Sequence, residues 1–180
     1  MGPEVVKIKV QALNEEAFKP YGSVLRQKQP IFPEVDPGEG KVAMELLRVK
    51  PGSRNRQGSG YRIEELAIHF SYNQTFIPLK GSIILIVAPA PPKVGKSETD
   101  YSVDYSKLAA FLIESGQAAM IDKGVWHGAA VPGAECEFIN VTRKNPGEVT
   151  SDQFRHPTQR GYVETVDVLK RDQKVVELEL

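Results

Sequence analysis

The sequence has a single cysteine, Cys136. With no second thiol, neither an intrachain disulfide framework nor a cysteine-based zinc site is available. Excess charge is missing as well: 23 basic side chains meet 23 acidic ones, which gives no general pull toward nucleic acid or an anionic membrane. Long apolar runs are absent. The longest, Ile83 to Ala88, is far short of the roughly 20 residues that cross a bilayer. The start, Met1-Gly2-Pro3-Glu4, lacks the basic and apolar regions of a signal peptide. Val6 stands where N-myristoylation calls for Ser or Thr. No segment resembles a nucleotide-binding loop, a nucleophile elbow or a DNA-reading helix. These absences predict a cytoplasmic protein with neither nucleic-acid nor membrane partners.

What is present favours a folded chain. At 180 residues and 41% hydrophobic, it has the material for one domain (1–180) with a sizeable core. Val5 to Val10 ends in apolar/polar alternation and predicts a strand with one wet face. Asn14, followed by Glu15, Glu16, Ala17 and Phe18, predicts a capped short helix that Pro20 and Gly22 terminate. The span from Gln27 to Gly40 holds Pro30, Pro33, Pro37 and Gly38 and should be irregular. Strands are predicted over 42–49, 65–70, 74–79 and 82–88, with Pro89, Pro91 and Pro92 ending the last. A surface loop over 93–104 follows. Ser106 then reads as the cap of a helix over 108–113 that stops at Gly116. Further strands are expected at 117–121, 125–128 and 137–142, and one more at 175–180. Many short strands with close turns and one or two brief helices argue for a mainly β fold, an antiparallel barrel or double-sheet jelly roll.

Three histidines are the natural candidates for chemistry at neutral pH. His156 precedes Pro157 in a polar stretch and reads as a surface residue. His69 and His127 fall within predicted strands, where an isolated histidine is more often a hydrogen-bonded core residue than a ligand or base. Their spacing adds something. The chain reads Ala67-x-His69-x4-Gln74-x6-Gly81 and Gly116-x5-Asp122-x-Gly124-x2-His127. Residues two apart on a strand share a face, and a glycine turn returns the next strand alongside, so such residues can converge inside a barrel. The spacing resembles the paired motifs of the cupin superfamily.

A closer resemblance lies between those anchors. His69-Phe70-Ser71-Tyr72-Asn73-Gln74-Thr75-Phe76-Ile77-Pro78-Leu79-Lys80-Gly81 is similar to a stretch characteristic of the ureidoglycolate lyases, as is Gly124-Val125-Trp126-His127. The segment from Leu108 to Gln117, the run Glu137 to Arg143, and Phe18 with Tyr21-Gly22 also resemble that family. The likeness covers about 5–145, most clearly 65–143, and leaves 146–180 as a C-terminal extension. It implies a cupin-type antiparallel β-barrel (double-stranded jelly roll), a homodimer, and cleavage of ureidoglycolate to glyoxylate and urea in purine-derived nitrogen catabolism.

That reaction needs a base for the hydroxyl proton, a proton for the departing nitrogen and a cation for the carboxylate. His69 and His127 are the proton-transfer candidates, and Gln74 could orient substrate. Lys80, Arg48 and Arg143 are the cationic candidates, with Arg suited to bidentate carboxylate contact. Tyr72 and Trp126 complete the substrate-binding set. Each has a plainer reading: Trp126 as core, Lys80 as a turn lysine, Arg143 as a surface partner of Glu135 or Glu137. Arg54 and Arg56 read as solvated charges, and Cys136 as structural. The resemblance also raises a divalent metal, nickel among the options. The four cupin ligand positions are here Ala67, His69, Gln74 and His127, which leaves two imidazoles and an amide, a poor match for zinc. Ala67-Ile68 replaces the acidic-Arg pair typical before the histidine. Three functions therefore stand at this point: ureidoglycolate cleavage, another lyase, isomerase or hydrolase reaction on a hydroxy or sugar acid, or non-catalytic binding of a small acid.

Overall fold

Alternation of apolar and polar residues builds most of the strands in the computed structural model, which describes residues 2–50, 56–57, 60–90, 101–145 and 163–180. In chain order these are β1 (Glu4–Ala12), α1 (Glu15–Phe18), β2 (Gly22–Val24), β3 (Lys41–Val49), β4 (Arg56–Gln57), β5 (Gly60–Ile63), β6 (Glu65–His69), β7 (Gln74–Lys80) and β8 (Ser82–Ala88). There follow β9 (Ala109–Glu114), β10 (Ala119–Ile121), β11 (Trp126–Ala130), β12 (Cys136–Lys144), β13 (Val163–Asp167), α2 (Val168–Asp172) and β14 (Lys174–Glu179). The fold is mainly β, as expected, and both α-helices are short. Helix α1 forms where the sequence predicts, because the Asn14 side-chain oxygen accepts the Ala17 amide at 2.9 Å.

The strands make two sheets. One runs β2-β10-β7-β12-β3; the other runs β13-β6-β11-β8-β9-β1-β14-β5-β4. Between them, Leu47, Phe76 and Phe138 of the smaller sheet pack with Ile83, Leu85, Val87, Phe111 and Ile113 of the larger. The opposite face of the larger sheet is buried too. There Ile68, Ile84, Ile86 and Trp126 meet Tyr61, Ile63, Val176 and Leu178, so the long sheet curls back on itself. Covered on both faces, β8 reads as an unbroken apolar run rather than an alternating one. The result is a mainly β, double-sheet barrel.

Two expectations are corrected. The segment over 108–113 is not a helix capped by Ser106. Asp104 caps a single 3₁₀ turn at Tyr105–Lys107, and the following residues form β9. Its apolar residues divide between two cores, with Phe111 and Ile113 in one and Ala110 and Leu112 in the other. A short stretch buried on both sides cannot be told from a buried helix by period. Nor is the sheet wholly antiparallel, since β1 runs parallel to both β9 and β14. Strand β13 and helix α2 escaped the sequence reading. Arg54, the Arg56 side chain, His156 and the loop over 93–100 lie outside what the structure describes.

Candidate active site

Strand parity puts the two histidines on one wall. Leu66 and Ile68 of β6, and Trp126 and Ala130 of β11, face the curled side of the large sheet. Their neighbours His69 and His127 therefore face the space between the sheets. Register brings them together: Trp126 is opposite Ile68, and His127 is opposite Ala67. The imidazoles meet at 4.5 Å between centroids, with 75° between planes. Tyr72 stacks on His69 at 4.3 Å and 22°. All three side chains are buried.

The backbone fixes the tautomer of His127. Its Nδ1 lies 3.1 Å from the Val125 carbonyl oxygen, which can only accept. Nδ1 therefore carries the proton, and Nε2 of the neutral ring holds the lone pair. The turn leading to this histidine is itself held against β6, for the Gly124 amide donates to the His69 carbonyl at 2.7 Å.

Gln74 begins β7, only a short connection after His69 ends β6, so both stand at the same end of the barrel. Gln74 lies opposite Ile121 on the inward face of the small sheet and is buried. Its Nε2 donates to Asn140 Oδ1 at 2.9 Å, and Asn140 Nδ2 donates to Glu45 Oε2 at 3.2 Å. Among the described residues, Gln74 Oε1 and the Thr142 hydroxyl are buried with no hydrogen-bond partner. Parity on β12 places Phe138, Asn140 and Thr142 on one face, and Phe138 marks it as the inward one. Sequence reasoning missed Asn140, Thr142 and Glu45. The available signal was polar residues in phase with a core phenylalanine on a strand.

A strap closes this end. The Asp36 amide donates to the Ser71 carbonyl and the Asn73 amide to the Glu34 carbonyl, while Asn73 Oδ1 accepts the Glu34 amide. Lys123 pairs with Asp36 and Glu34. Burial, with the Glu34 charge adding to it, holds the Asp122 carboxyl above its ordinary range.

The remaining candidates lie elsewhere. Lys80 is exposed at the far end of β7, about 20 Å along the strand from Gln74 at the usual rise. Arg48 is exposed and paired with Glu137 at 2.6 Å and Glu135 at 3.6 Å, the partners the sequence suggested for Arg143. Arg143 is buried on the other face of β12 from Asn140, where its Nε donates to the Glu39 carbonyl. Trp126 is core: its Nε1 donates to the Ser102 carbonyl at 3.1 Å and Arg171 lies over its ring. The structure thus joins His69, His127 and Tyr72 directly and sets Gln74 at the same end.

The donor set does not suit a tightly held divalent cation. Two imidazoles and one neutral amide oxygen are present, and no cluster of three His, Cys, Asp or Glu occurs among the described residues. Borderline and hard cations favour carboxylate alongside imidazole. The chemistry of the site is accordingly derived from its side chains.

Comparison with known proteins gives the context. A family model described as ureidoglycolate lyase matches residues 33–160. A ureidoglycolate lyase of Schizosaccharomyces pombe is 27% identical over 160 residues, covering 71% of this chain and 79% of the relative. One from Chelativorans sp. is 24% identical over 160 residues, with 82% and 92% covered. One from Escherichia coli O157:H7 is 26% identical over 137 residues, with 68% and 78% covered.

Proposed function

The chain belongs to the ureidoglycolate lyase family, and from that premise we propose that the His69–His127 pocket cleaves the C–N bond of ureidoglycolate, giving glyoxylate and urea. The observation carrying this reading is the contact between the two imidazoles, 4.5 Å apart, with the His127 tautomer set by Val125.

The chemistry follows from the geometry. His127 Nε2 takes the proton from the substrate hydroxyl. The oxygen lone pair closes to the aldehyde carbonyl as the C–N bond breaks, and the bonding electrons leave on nitrogen. His69 delivers a proton to that nitrogen, so urea departs neutral, and exchange between the touching rings restores the pair. Proton transfers of this kind contribute about 10²–10⁴-fold each. Gln74 Oε1 accepts from the ureido N–H groups. The aromatic face of Tyr72 holds the His69 ring in place.

The setting proposed is a homodimer in the cytoplasm acting in purine-derived nitrogen catabolism. Support for the dimer comes from β3, an edge strand that exposes Val42, Met44 and Leu46 along one face. Contiguous apolar faces of this kind usually mark an interface.

Purified protein given ureidoglycolate should release glyoxylate and urea in equal amounts above the enzyme-free rate. His127→Ala should lose that turnover by at least about 10²-fold while keeping its circular dichroism spectrum. Absence of product, or unchanged turnover in the variant, would overturn the reading.

A further inference from the structure

The small sheet carries a hydrogen-bonded chain whose polarity is set at one end. Glu45 lies opposite Asn140 in the β3–β12 register. Asn140 lies opposite Phe76 on β7, which makes Gln74 its diagonal neighbour on the same face, within reach of long side chains. The bonds run from Gln74 Nε2 to Asn140 Oδ1, then from Asn140 Nδ2 to Glu45 Oε2. Lys144 pairs with the other oxygen of Glu45.

A side-chain amide has a donor end and an acceptor end, and nothing in its shape says which way it points. A carboxylate removes the ambiguity because it only accepts. Glu45 therefore draws the NH₂ of Asn140 toward itself and turns the Asn140 oxygen toward β7. That oxygen draws the NH₂ of Gln74, which leaves Gln74 Oε1 as the end without a partner among the described residues, in a buried position.

We propose that Glu45 and Asn140 are positioning residues that hold Gln74 as an acceptor in the pocket, so that the site selects ligands presenting an N–H group there. The proposal deepens the lyase reading and rests on it for the placement of substrate beside Gln74. A ureido –NH₂ satisfies the buried oxygen; a methyl group of the same size leaves it unsatisfied. Neither Glu45 nor Asn140 need touch substrate, since both act through the orientation of Gln74.

The test uses two unreactive acids of equal charge and near-equal shape. N-carbamoylglycine carries the ureido group without the hydroxyl that cleavage requires, and N-acetylglycine replaces its terminal NH₂ by CH₃. Calorimetric titration of the intact wild-type protein should show N-carbamoylglycine bound at least about tenfold tighter, the scale of one hydrogen bond to a buried group. Glu45→Gln, which is isosteric but can donate, should shrink that preference below threefold, and Glu45→Asp should recover part of it. Gln74→Met, which deletes the acceptor and leaves Glu45 in place, should also collapse the preference. For turnover, Glu45→Gln should raise KM with kcat within twofold, because the histidine pair is untouched.

A wild-type preference near one, no measurable binding of either acid, or a preference unchanged in Glu45→Gln or Gln74→Met overturns the proposal. Neither acid can react, so this outcome is separate from the glyoxylate assay. A tenfold preference without turnover would remove the lyase reading and keep the selection for N–H.

Discussion

The phenol ring of Tyr72 lies nearly flat against the His69 imidazole, 4.3 Å between centroids and 22° between planes. Such a pair is worth about 0.5–1.5 kcal/mol beyond its burial, and here it limits the angles at which His69 can face His127. Tyr72→Phe keeps the stack and should leave kcat within about threefold. Tyr72→Leu removes it and should lower kcat by about tenfold or more, with a smaller change in KM. Steady-state kinetics on the two variants separates ring from hydroxyl.

Asn73 fastens the strap over this stack. Its side chain accepts the Glu34 amide at 3.0 Å and donates to Asp122 at 3.4 Å. Asn73→Ala leaves those groups to water or to nothing, a loss of about 1–3 kcal/mol where they are buried. Hydrogen exchange at the Glu34 amide should accelerate in the variant by tenfold or more, an opening of about 1.4 kcal/mol. Exchange across the β8–β9 ladder should stay unchanged.

Asp122 gives a pH signature. Burial, and then the charge of Glu34, raise its carboxyl above the ordinary value. The fold therefore favours the protonated form. Stability is lost as pH climbs from the ordinary carboxylate range to the raised value, and stays lower above it. Asp122→Asn is neutral throughout and still offers Asn73 an acceptor. Its Tm should exceed the wild type's at pH 7 and match it near pH 3, where both side chains are uncharged.

Gly81 closes the turn between β7 and β8 with φ of +76°, and an added Cβ would run into the Glu135 carbonyl. Both the left-handed backbone and the contact with main chain oppose substitution. Gly81→Ala should destabilise by about 1–3 kcal/mol or more, read as a lower urea midpoint with an unchanged slope.

Period and spacing carried much of this architecture. The strand-like runs over 42–49 and 175–180, and the turn residues around 74–88, correspond to β3, β14, β7 and β8. The failures share a cause. Period cannot classify a segment buried on both faces, which is how β9 came to read as a helix, and composition alone hides β13 in a polar stretch. In the site, motif spacing singled out His69, Gln74 and His127, all at one end of the barrel. Lys80, Arg48 and Arg143 are candidates by charge alone, a property independent of which face or which end of a strand a residue occupies. Trp126 could have been set aside by parity alone, since it adjoins His127 on β11 and so must face the other way. Asn140 is in phase with Phe138 on β12, a local signal, whereas its link to Glu45 needed the cross-strand register, which no local pattern encodes.

Strand β1 is held on both sides, by β9 along Val10 to Ala12 and by β14 along Glu4 to Lys9. Strand β1 thus waits for β14, far along the chain, before its ladder is complete. Pairings so distant in sequence slow the search for the native state, and until β14 arrives one edge of β1 stays open to a neighbouring nascent chain. Closure of this barrel is consequently a late step of folding, and chaperone dependence should fall on the interval before β14 zips in.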